Sequence, residues 1–594
     1  MANPSDHQPD WATRRPVGTG HVVGFRTTQG ADVWLGVPYA EPPVGTFRWR
    51  APRPHQGWQG DRLAVAPAAP ACQPPSFGVE TEDRYIGQED CLYLNIWAPS
   101  RPSLEPRPVI VWIHGGSNMR GQAHSYDARH LTVSQDVVVV SVTYRLGLFG
   151  WFRHPALRTG ADPADASGNY GTLDLICALR WVSEHIAAFG GDPGKVTIAG
   201  NSAGGWNVFS LLTSPLAEGL FHRAVVQSGA VLTLPPSLGE NLVDAASPGS
   251  PRSSGELLLQ LLIDDGLAAD RQDALRQLEG WDAARTADYL RSKDSRELMW
   301  AIEDPTSRRV AHPPLAMAPI MFADGYVLPK DGILSALREG AFSRVPVLLG
   351  ATRDEYRILL FIFGRTLSFL EHHEDDGFTV LDPPRFYLAG DYLSQIMQIE
   401  GVFGPARAIC AHQPGHVFCY RFDWDALDPA DWLGDVRLGA AHGLEVYFVF
   451  GHLDLGAEFF HHRLISGAAL ESFSELSARI MSYWGAFARD GTPGRGEAGV
   501  LPHWPPYDPD GATMVLGRGA TADVACVTMA GTRDDLIGRL ATDERFPDPA
   551  SRHLFIDELI AGTDLGLGFT TGHSFTPEDH VRLRAAVGEG KLIR

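Results

Sequence analysis

Residues 195–204 read KVTIAGNSAG, a short run of β-branched residues that ends in a G-x-S-x-G turn. The apolar run predicts a buried strand, and the apolar stretch that begins at Val208 predicts a helix behind the turn. Glycines on both sides of Ser202 let the chain reverse so sharply that larger side chains would collide. The turn therefore projects Ser202 above the edge of a sheet, with a helix N-terminus behind it that favours developing negative charge.

Several other short apolar runs predict strands that are buried on both faces of a sheet. They cover residues 109–113, 137–142, 345–349 and 417–420, and a helical pattern over 173–189 precedes the strand of the serine turn. Strands that alternate with helices predict an α/β fold with a large, mostly parallel central sheet flanked by helices. In such folds, sites form in the loops at the carboxyl ends of the strands.

The composition excludes several classes of protein. The chain has 594 residues, a formal net charge of −21 and 44% hydrophobic residues, so it can build a large core. It lacks the basic surface that nucleic acid requires. No stretch reaches the roughly 18 apolar residues of a membrane span, and we expect no transmembrane segment. The polar start shows no secretory signal and no Asn forms a glycosylation acceptor, which favours an intracellular location.

Two further loops supply candidate partners for the serine. A serine nucleophile needs a base, and the base needs an orienting carboxylate. In α/β folds with a G-x-S-x-G turn, these residues follow in the chain order Ser, Asp/Glu, His. Asp354 and Glu355 follow the strand over 345–349, and both are candidates for the acid. His442 lies between glycines in a later loop and is the candidate base.

A pair of glycines follows the strand over 109–113, in the sequence His114-Gly115-Gly116. Glycines at that position leave backbone N–H groups free to face a tetrahedral oxyanion. The loop is therefore the candidate for stabilising the negative charge that develops when Ser202 attacks a carbonyl.

The chain also carries an ordered series of motifs: LGVPYAEPP at 35–43, EDCLYLNI at 89–96, YRLG at 144–147, GNYG at 168–171, FGGDP at 189–193, QSG at 227–229 and FAR at 487–489. This series resembles the type-B carboxylesterase/lipase family, which includes the cholinesterases. The resemblance implies an α/β-hydrolase fold whose helical insertions form a gorge or cap. It divides the chain into a flexible N-terminal tail over 1–16, a single α/β-hydrolase domain over 17–540 and a C-terminal extension over 541–594.

The resemblance implies a role for each candidate residue. Ser202 resembles the nucleophile and His442 the base. Glu355 resembles the acid of the triad, because the family's acid is the second of the Asp-Glu pair. The resemblance also implies an oxyanion hole. Its donors are the backbone N–H groups of Gly116, Ser117 and Ala203, and Gly115 shapes the turn.

Several residues near the serine depart from the family's pattern and are candidates for the substrate pocket. Asn201 stands where the family usually has Glu, which removes a carboxylate beside the histidine. Ser117 and Asn118 stand where Gly and an aromatic residue are common, and Tyr356 replaces a Gly after the acid. Trp206 either narrows the acyl side of the pocket or belongs to the core.

Cys72 and Cys91 match a disulfide of the family's secreted members. In an oxidising compartment the bond would close a loop of about 20 residues and add about 3 kcal/mol of stability, so the pair leaves secretion open. In an intracellular protein both residues stay as thiols. The loop between them lacks the Trp that holds choline in cholinesterases, so we do not expect a choline ester as substrate.

The sequence thus predicts a serine hydrolase that cleaves carboxylic esters through a Ser-Glu-His triad and an acyl-enzyme. One alternative is an acyltransferase, transesterase or lactone-forming enzyme that uses the same triad. The other is a non-catalytic, cholinesterase-like binding protein, which a complete triad disfavours. We expect a small-molecule ester as partner, no cofactor, no metal and a monomer or homodimer.

Overall fold

Strands and helices alternate along most of the chain. A computed structural model describes residues 7–75, 83–158, 160, 162–303, 320–363, 367–372, 378–428, 436–453, 465–467, 469–529, 531–562 and 577–587. The strands are β1 (Arg15–Val17), β2 (Gly20–Val23), β3 (Phe25–Arg26), β4 (Ala31–Pro38), β5 (Asp61–Leu63), β6 (Tyr93–Pro99), β7 (Arg107–Ile113), β8 (Val138–Val142), β9 (Gly191–Asn201), β10 (Arg223–Gln227), β11 (Val347–Thr352), β12 (Leu370–His372), β13 (Phe378–Val380), β14 (Val417–Trp424), β15 (Ala512–Gly519) and β16 (Thr521–Thr528).

The helices cover both faces of the sheet and the ends of its strands. They are α1 (Arg129–Gln135), α2 (Gly147–Gly150), α3 (Tyr170–His185), α4 (Ala203–Thr213), α5 (Pro236–Glu240), α6 (Ser254–Asp264), α7 (Arg271–Leu278), α8 (Ala283–Ser292), α9 (Ser295–Ile302), α10 (Ile333–Glu339), α11 (Glu355–Phe363), α12 (Pro383–Gln398), α13 (Gly404–Cys410), α14 (Glu445–Phe450), α15 (Ala469–Asp490), α16 (Arg533–Thr542), α17 (Pro549–Gly562) and α18 (Pro577–Val587). Within the ranges given above, no helix combines the length and the hydropathy that crossing a bilayer requires.

One large sheet forms the centre of the described structure. Its eleven strands lie in the order β16-β15-β14-β11-β10-β9-β7-β8-β6-β4-β3. The strands from β15 to β8 in this order are parallel, and the remaining strands at the two edges pair antiparallel. The predicted α/β fold with a large, mostly parallel sheet is confirmed.

The parallel strands are apolar on both sides because helices cover both faces of the sheet. In β7, Val109 and Val111 join an apolar cluster that includes residues of α3 and α4. Their neighbours Ile110 and Trp112 join a second cluster with residues of α14 and α15. Successive side chains of a strand point to opposite faces, so each face of the sheet has its own core.

The register of the parallel strands brings their carboxyl ends to one edge of the sheet. Ile113 at the end of β7 pairs with Gly200 of β9. Gln227 at the end of β10 pairs with Asn201 of β9 and with Gly350 of β11. The loops that carry the candidate oxyanion hole, serine and acid therefore begin side by side.

The serine turn has the predicted order of strand, turn and helix. Helix α4 begins at Ala203, directly after Ser202 and five residues before the apolar stretch that predicted it. A Cβ at Gly204 would lie 2.1 Å from the carbonyl oxygen of Ile113. A Cβ at Gly200 would lie 2.6 Å from the backbone of Gly204. Both glycines are required because the helix starts in contact with two strand ends.

We expect Gly204→Ala to destabilise the protein by about 3 kcal/mol or more, because a methyl group there overlaps backbone that cannot move. Gly538→Ala is the matched control, since Gly538 lies in α16 with nothing within 4 Å of its Cβ position. That change should leave stability unchanged or raise it by up to about 1 kcal/mol. Urea unfolding midpoints measure both, and equal midpoints for the two variants would contradict the close approach.

Two insertions follow strand ends at the edge where Ser202 lies. The first is helical as predicted, with α6, α7, α8 and α9 after β10. The second follows β11 and contains α11, α12 and α13. The antiparallel hairpin of β12 and β13 interrupts it, where the β-branched residues Thr379 and Val380 favour an extended backbone.

Residues 7–16 of the N-terminal segment have defined contacts, and the predicted boundary between a tail over 1–16 and the domain stays a prediction. The His7 ring stacks on Phe25 at a centroid distance of 3.9 Å. Thr13 is fully buried, and its carbonyl oxygen accepts the indole N–H of Trp34 at 2.9 Å. β1 then pairs antiparallel with β2. These contacts join residues that are distant in sequence, so local periodicity could not predict them.

The C-terminal helices share the core of the sheet. Phe555, Leu559 and Leu583 of α17 and α18 are buried in the same apolar cluster as the side chains of β7 and α4. The hydroxyl of Tyr392 on α12 donates to Asp543 at 2.7 Å, just after α16. The C-terminal helices therefore pack directly on the predicted domain. The division into a domain over 17–540 and an extension over 541–594 stays a prediction.

Cys72 and Cys91 are both free, buried thiols, so the possible disulfide is not formed. They line one small cavity together with Arg145 and Phe149. Burial raises the pKa of Cys72 to about 12, which keeps this thiol protonated and unreactive at neutral pH.

Candidate active site

Ser202 occupies the sharp turn between β9 and α4. Its backbone is left-handed, with φ 58° and ψ −125°, a conformation that is strained for a residue other than glycine. The N–H of Ser202 donates to the carbonyl of Gln227 at 2.8 Å, which fixes the turn against the end of β10. The side chain is half-buried, so the hydroxyl can meet a ligand.

Glu355 is the acid that contacts the histidine. It is fully buried at the start of α11, and its Oε2 is hydrogen-bonded to Nδ1 of His442. Its other oxygen accepts the hydroxyl of Ser228 and the backbone N–H of Thr352, the latter at 2.7 Å. The carboxylate is thus held from both sides and faces the imidazole.

Asp354, the neighbouring acid, has a different function. Its Oδ2 accepts the backbone N–H of Ala440 at 2.9 Å, two residues before His442. The same carboxylate forms ion pairs with Arg353 and Arg357. Asp354 therefore ties the acid loop to the histidine loop, and Glu355 alone of the two contacts the imidazole.

The charges of the pair favour an ionised acid beside a basic imidazole. Burial alone would lower the pKa of His442, but the charge and hydrogen bond of Glu355, with the charge of Glu445, raise it above its ordinary value. Burial alone would raise the pKa of Glu355, but the charge and hydrogen bond of His442 lower it. The imidazole is therefore a stronger base than a free histidine.

Glu445 is a buried carboxylate that the sequence analysis missed. It lies three residues after His442, at the start of α14, and is 1% exposed. Its Oε1 accepts Nδ2 of Asn201 at 2.8 Å and Nε2 of Gln227 at 3.4 Å. Burial and the charge of Glu355 raise its pKa to about 7. A charged residue beside the apolar run 446–450 was the signal that could have identified it.

In a plot of kcat/KM against pH, we expect Glu445→Gln to move the acid limb, where activity rises with pH, to lower pH. The limb reports the pKa of His442 in the free enzyme, because only the neutral imidazole can accept a proton. The Glu445 carboxylate favours the imidazolium, so removing its charge lowers that pKa. Glu471→Gln, at an exposed position on α15, is the control. A limb that stays in place or moves to higher pH would contradict this assignment.

The loop after β7 approaches the serine closely. A Cβ at Gly115 would lie 3.1 Å from Cβ of Ser202, and one at Gly116 would lie 2.4 Å from the carbonyl oxygen of Arg120. Gly116 also has φ +94°, which favours glycine. Among the described residues, no acceptor pairs with the N–H groups of Gly116, Ser117 or Ala203. These donors are available to a ligand oxygen.

Two of the predicted pocket residues have other partners. Asn201 is 4% exposed, and its side-chain amide donates to the carboxylate of Glu445. Asn118 is fully buried, and its Oδ1 accepts Nδ2 of Asn207 at 2.8 Å. Both side chains are therefore engaged in buried hydrogen bonds, and their contact with a substrate stays a prediction.

The other two predicted pocket residues are mostly buried. Trp206 is 8% exposed and belongs to the apolar cluster of α3 and α4. Tyr356 is 6% exposed, and its N–H donates to the hydroxyl of Ser394 at 2.9 Å. Whether these rings limit the size of a substrate stays a prediction.

The serine and the imidazole lie at the same sheet edge but are not hydrogen-bonded to each other. Within the described residues, Oγ of Ser202 makes no hydrogen bond. The loops are nevertheless joined, since Asn201 precedes the serine and bonds Glu445 three residues after His442. Catalytic hydrogen bonds are often long without substrate and tighten when it binds.

Comparisons with known proteins identify the family to which this chain is similar. The model of the carboxylesterase family matches residues 12–243. A para-nitrobenzyl esterase of Bacillus subtilis (strain 168) is 33% identical over 509 residues, which are 82% of this chain and 91% of the relative. The liver carboxylesterase of Sus scrofa is 33% identical over 540 residues, 82% of this chain and 86% of the relative.

Solved structures of similar fold are also carboxylesterases. A structure of a PNB esterase has a TM-score of 0.64 at 30% identity and covers 87% of this chain and 97% of its own. A carboxylesterase of Geobacillus stearothermophilus has a TM-score of 0.63 at 29% identity, with coverages of 86% and 98%. The fold, the ordered motifs and these relatives lead to one conclusion: the chain belongs to the carboxylesterase family and is a carboxylic ester hydrolase.

Proposed function

We propose that Ser202, Glu355 and His442 form a triad that cleaves carboxylic esters through an acyl-enzyme. The contact that carries this proposal is the hydrogen bond between Oε2 of Glu355 and Nδ1 of His442. It places a proton on Nδ1 and leaves Nε2 free to accept the proton of the serine hydroxyl. A raised histidine pKa and an ionised acid suit that transfer.

The N–H groups of Gly116, Ser117 and Ala203 form the oxyanion hole in this proposal. They come from the loop after β7 and from the first turn of α4, and both segments border Ser202. Each donor stabilises the negative oxygen of the tetrahedral intermediate and contributes about 10²- to 10³-fold in rate. The N-terminus of α4 adds a favourable dipole.

The reaction has two steps with balanced proton transfers. Nε2 of His442 takes the proton of Ser202 as Oγ bonds to the carbonyl carbon and the π electrons move to the oxygen. The imidazolium then protonates the leaving alcohol as its C–O bond breaks, and an ester of Ser202 remains. A water molecule attacks that ester through the same transfers, releases the acid and restores the hydroxyl.

Esters without a quaternary ammonium group are the substrates that we propose. Residues 73–90 contain no Trp, so the ring that holds choline in cholinesterases is missing. The Bacillus subtilis relative is named for para-nitrobenzyl esters, which makes these esters the first to test. The preferred length of the acyl chain is to be measured with a series of esters whose acyl groups differ in length.

Partitioning of the acyl group between water and methanol tests the intermediate. Two esters with the same acyl group and different leaving alcohols should give the same ratio of acid to methyl ester, because both pass through one acyl-enzyme. A ratio that changes with the leaving alcohol would contradict the acyl-enzyme. A product that is mostly methyl ester at low methanol would favour the acyltransferase alternative over hydrolysis.

A further inference from the structure

We propose that Asn118 and Asn207 form a strut that sets the spacing between the two halves of the oxyanion hole, an inference that rests on the function proposed above. One half is the loop after β7, which carries the N–H groups of Gly116 and Ser117. The other half is the first turn of α4, which carries the N–H of Ala203. The three donors can bind one oxygen only if these separate segments keep a fixed distance.

One side-chain amide joins the two segments directly. Nδ2 of Asn207 lies 2.8 Å from Oδ1 of Asn118 in the loop. The same nitrogen lies 3.0 Å from the carbonyl oxygen of Ala203. An amide nitrogen has two protons, so it can donate one to each segment at the same time. The strut therefore ends at the residue that carries the third donor.

Burial gives this contact its strength. Asn118 and Asn207 are both 0% exposed, so water does not compete for their hydrogen bonds. Breaking the contact would leave a buried polar group without a partner, which the fold resists. A buried amide pair therefore holds the loop in place more firmly than a contact at the surface would.

The loop needs such support because its backbone is strained. Ser117 and Asn118 have φ +58° and +56°, two successive left-handed residues that are not glycine. L-residues avoid this region, although Asn tolerates it better than most. The carbonyl oxygen of Asn118 also accepts the N–H of Gly147 at 2.7 Å. Without the strut, relaxation of this pair would turn the N–H of Ser117 away from its position.

Tyr144 extends the strut to the start of the loop. Its hydroxyl lies 2.8 Å from the carbonyl oxygen of His114 and 3.2 Å from Oδ1 of Asn118. Its ring stacks on the imidazole of His114 at a centroid distance of 4.4 Å. One buried cluster thus holds both His114, at the start of the loop, and Asn118, directly after Ser117.

The test compares Asn118→Leu, Asn207→Leu and the double variant with the unaltered enzyme. Each Leu has the same number and branching of side-chain heavy atoms as Asn but cannot form the amide contact. We expect kcat/KM to fall about 10- to 100-fold in each single variant, mainly through kcat, because displaced donors stabilise the transition state less. The fall in kcat/KM of the double variant should not exceed that of the less active single variant, since the strut acts as one unit.

A trifluoromethyl ketone provides a readout that a purely structural role would not change. Oγ of Ser202 adds to its carbonyl carbon, the proton moves to His442, and the resulting oxyanion occupies the hole. We expect its inhibition constant to rise by the same factor as kcat/KM falls. Rates are counted per site that a fluorophosphonate titrates, so unfolded protein does not affect them.

Two variants keep the test decisive. Asn207→Ser is too short to reach Asn118 but can still bond the carbonyl oxygen of Ala203, as Ser210 does with Trp206 at 3.1 Å. If the Leu variants do not fold, Asn207→Ser replaces them, and we expect the same fall in kcat/KM of about 10- to 100-fold. Ser210→Ala removes a buried hydrogen bond from the same helix and should change kcat/KM less than about twofold.

Unchanged kcat and unchanged ketone affinity in Asn207→Ser would overturn the strut. A fall in kcat without weaker ketone binding would also overturn it, because the hole would then be intact. Ser202→Ala separates this result from failure of the proposed function. If Ser202→Ala is inactive while the strut variants match the unaltered enzyme, the triad stands and only the strut is wrong.

Discussion

Ser202→Ala is expected to lower kcat for a p-nitrophenyl ester by about 10⁵-fold or more. Without Oγ no acyl-enzyme can form, and the reaction is limited to direct attack by water in the remaining site. The oxyanion hole and substrate binding can still give a rate above the uncatalysed one. KM should change much less than kcat, because the ester does not need the hydroxyl in order to bind.

Ser228→Ala is the matched comparison for this change. Ser228 lies at the end of the neighbouring strand, and its hydroxyl donates to Glu355 rather than facing a ligand. Its loss removes one of the hydrogen bonds of the acid, for which we expect about a tenfold lower kcat. Equal losses in the two variants, or substantial activity in Ser202→Ala, would contradict Ser202 as the nucleophile.

Glu355→Gln is expected to lower kcat at neutral pH by about 10⁴-fold. The amide can donate to Nδ1 of His442, which favours the tautomer with its proton on Nε2, and that nitrogen can no longer accept the proton of Ser202. The amide also carries no charge to stabilise the imidazolium. Because the charge of Glu355 raises the pKa of His442, the acid limb of the residual activity should move to lower pH.

Asp354→Asn is the control at the adjacent residue. Asp354 accepts a backbone N–H from Ala440 and pairs with two arginines, so its loss should weaken the fold rather than the chemistry. We expect kcat per titrated site within about tenfold of the unaltered enzyme and a lower urea midpoint. The reverse order, with Asp354→Asn inactive and Glu355→Gln active, would contradict the assignment of the acid.

Local patterns were sufficient to predict the fold and the order of the site. The run over 195–204 encodes a strand, a turn and a helix within a few residues, and the other strands are continuous apolar runs. Since parallel strands end at one edge, residues after β7, β9 and β11 had to come together. Sequence position alone was therefore enough to predict Ser202, the acid pair and His442 as candidate site residues.

Orientation and burial could not be predicted in the same way. Asp354 and Glu355 are neighbours whose side chains point in different directions as the chain enters α11, so composition does not distinguish them. Glu445 and Asn118 acquire their environment from segments far along the chain. The residues that depart from the family's pattern were assigned to the pocket, and two of them, Asn118 and Asn201, form buried hydrogen bonds.

Labelling with a fluorophosphonate tests the central claim most directly. Oγ of an activated serine bonds to phosphorus and releases fluoride, and the adduct can be located by mass spectrometry of peptides. We predict one adduct per chain, on Ser202, with activity lost in proportion to labelling and no adduct in Ser202→Ala. Full activity after Ser202 is labelled, or inactivation by an adduct on another residue, would contradict the account.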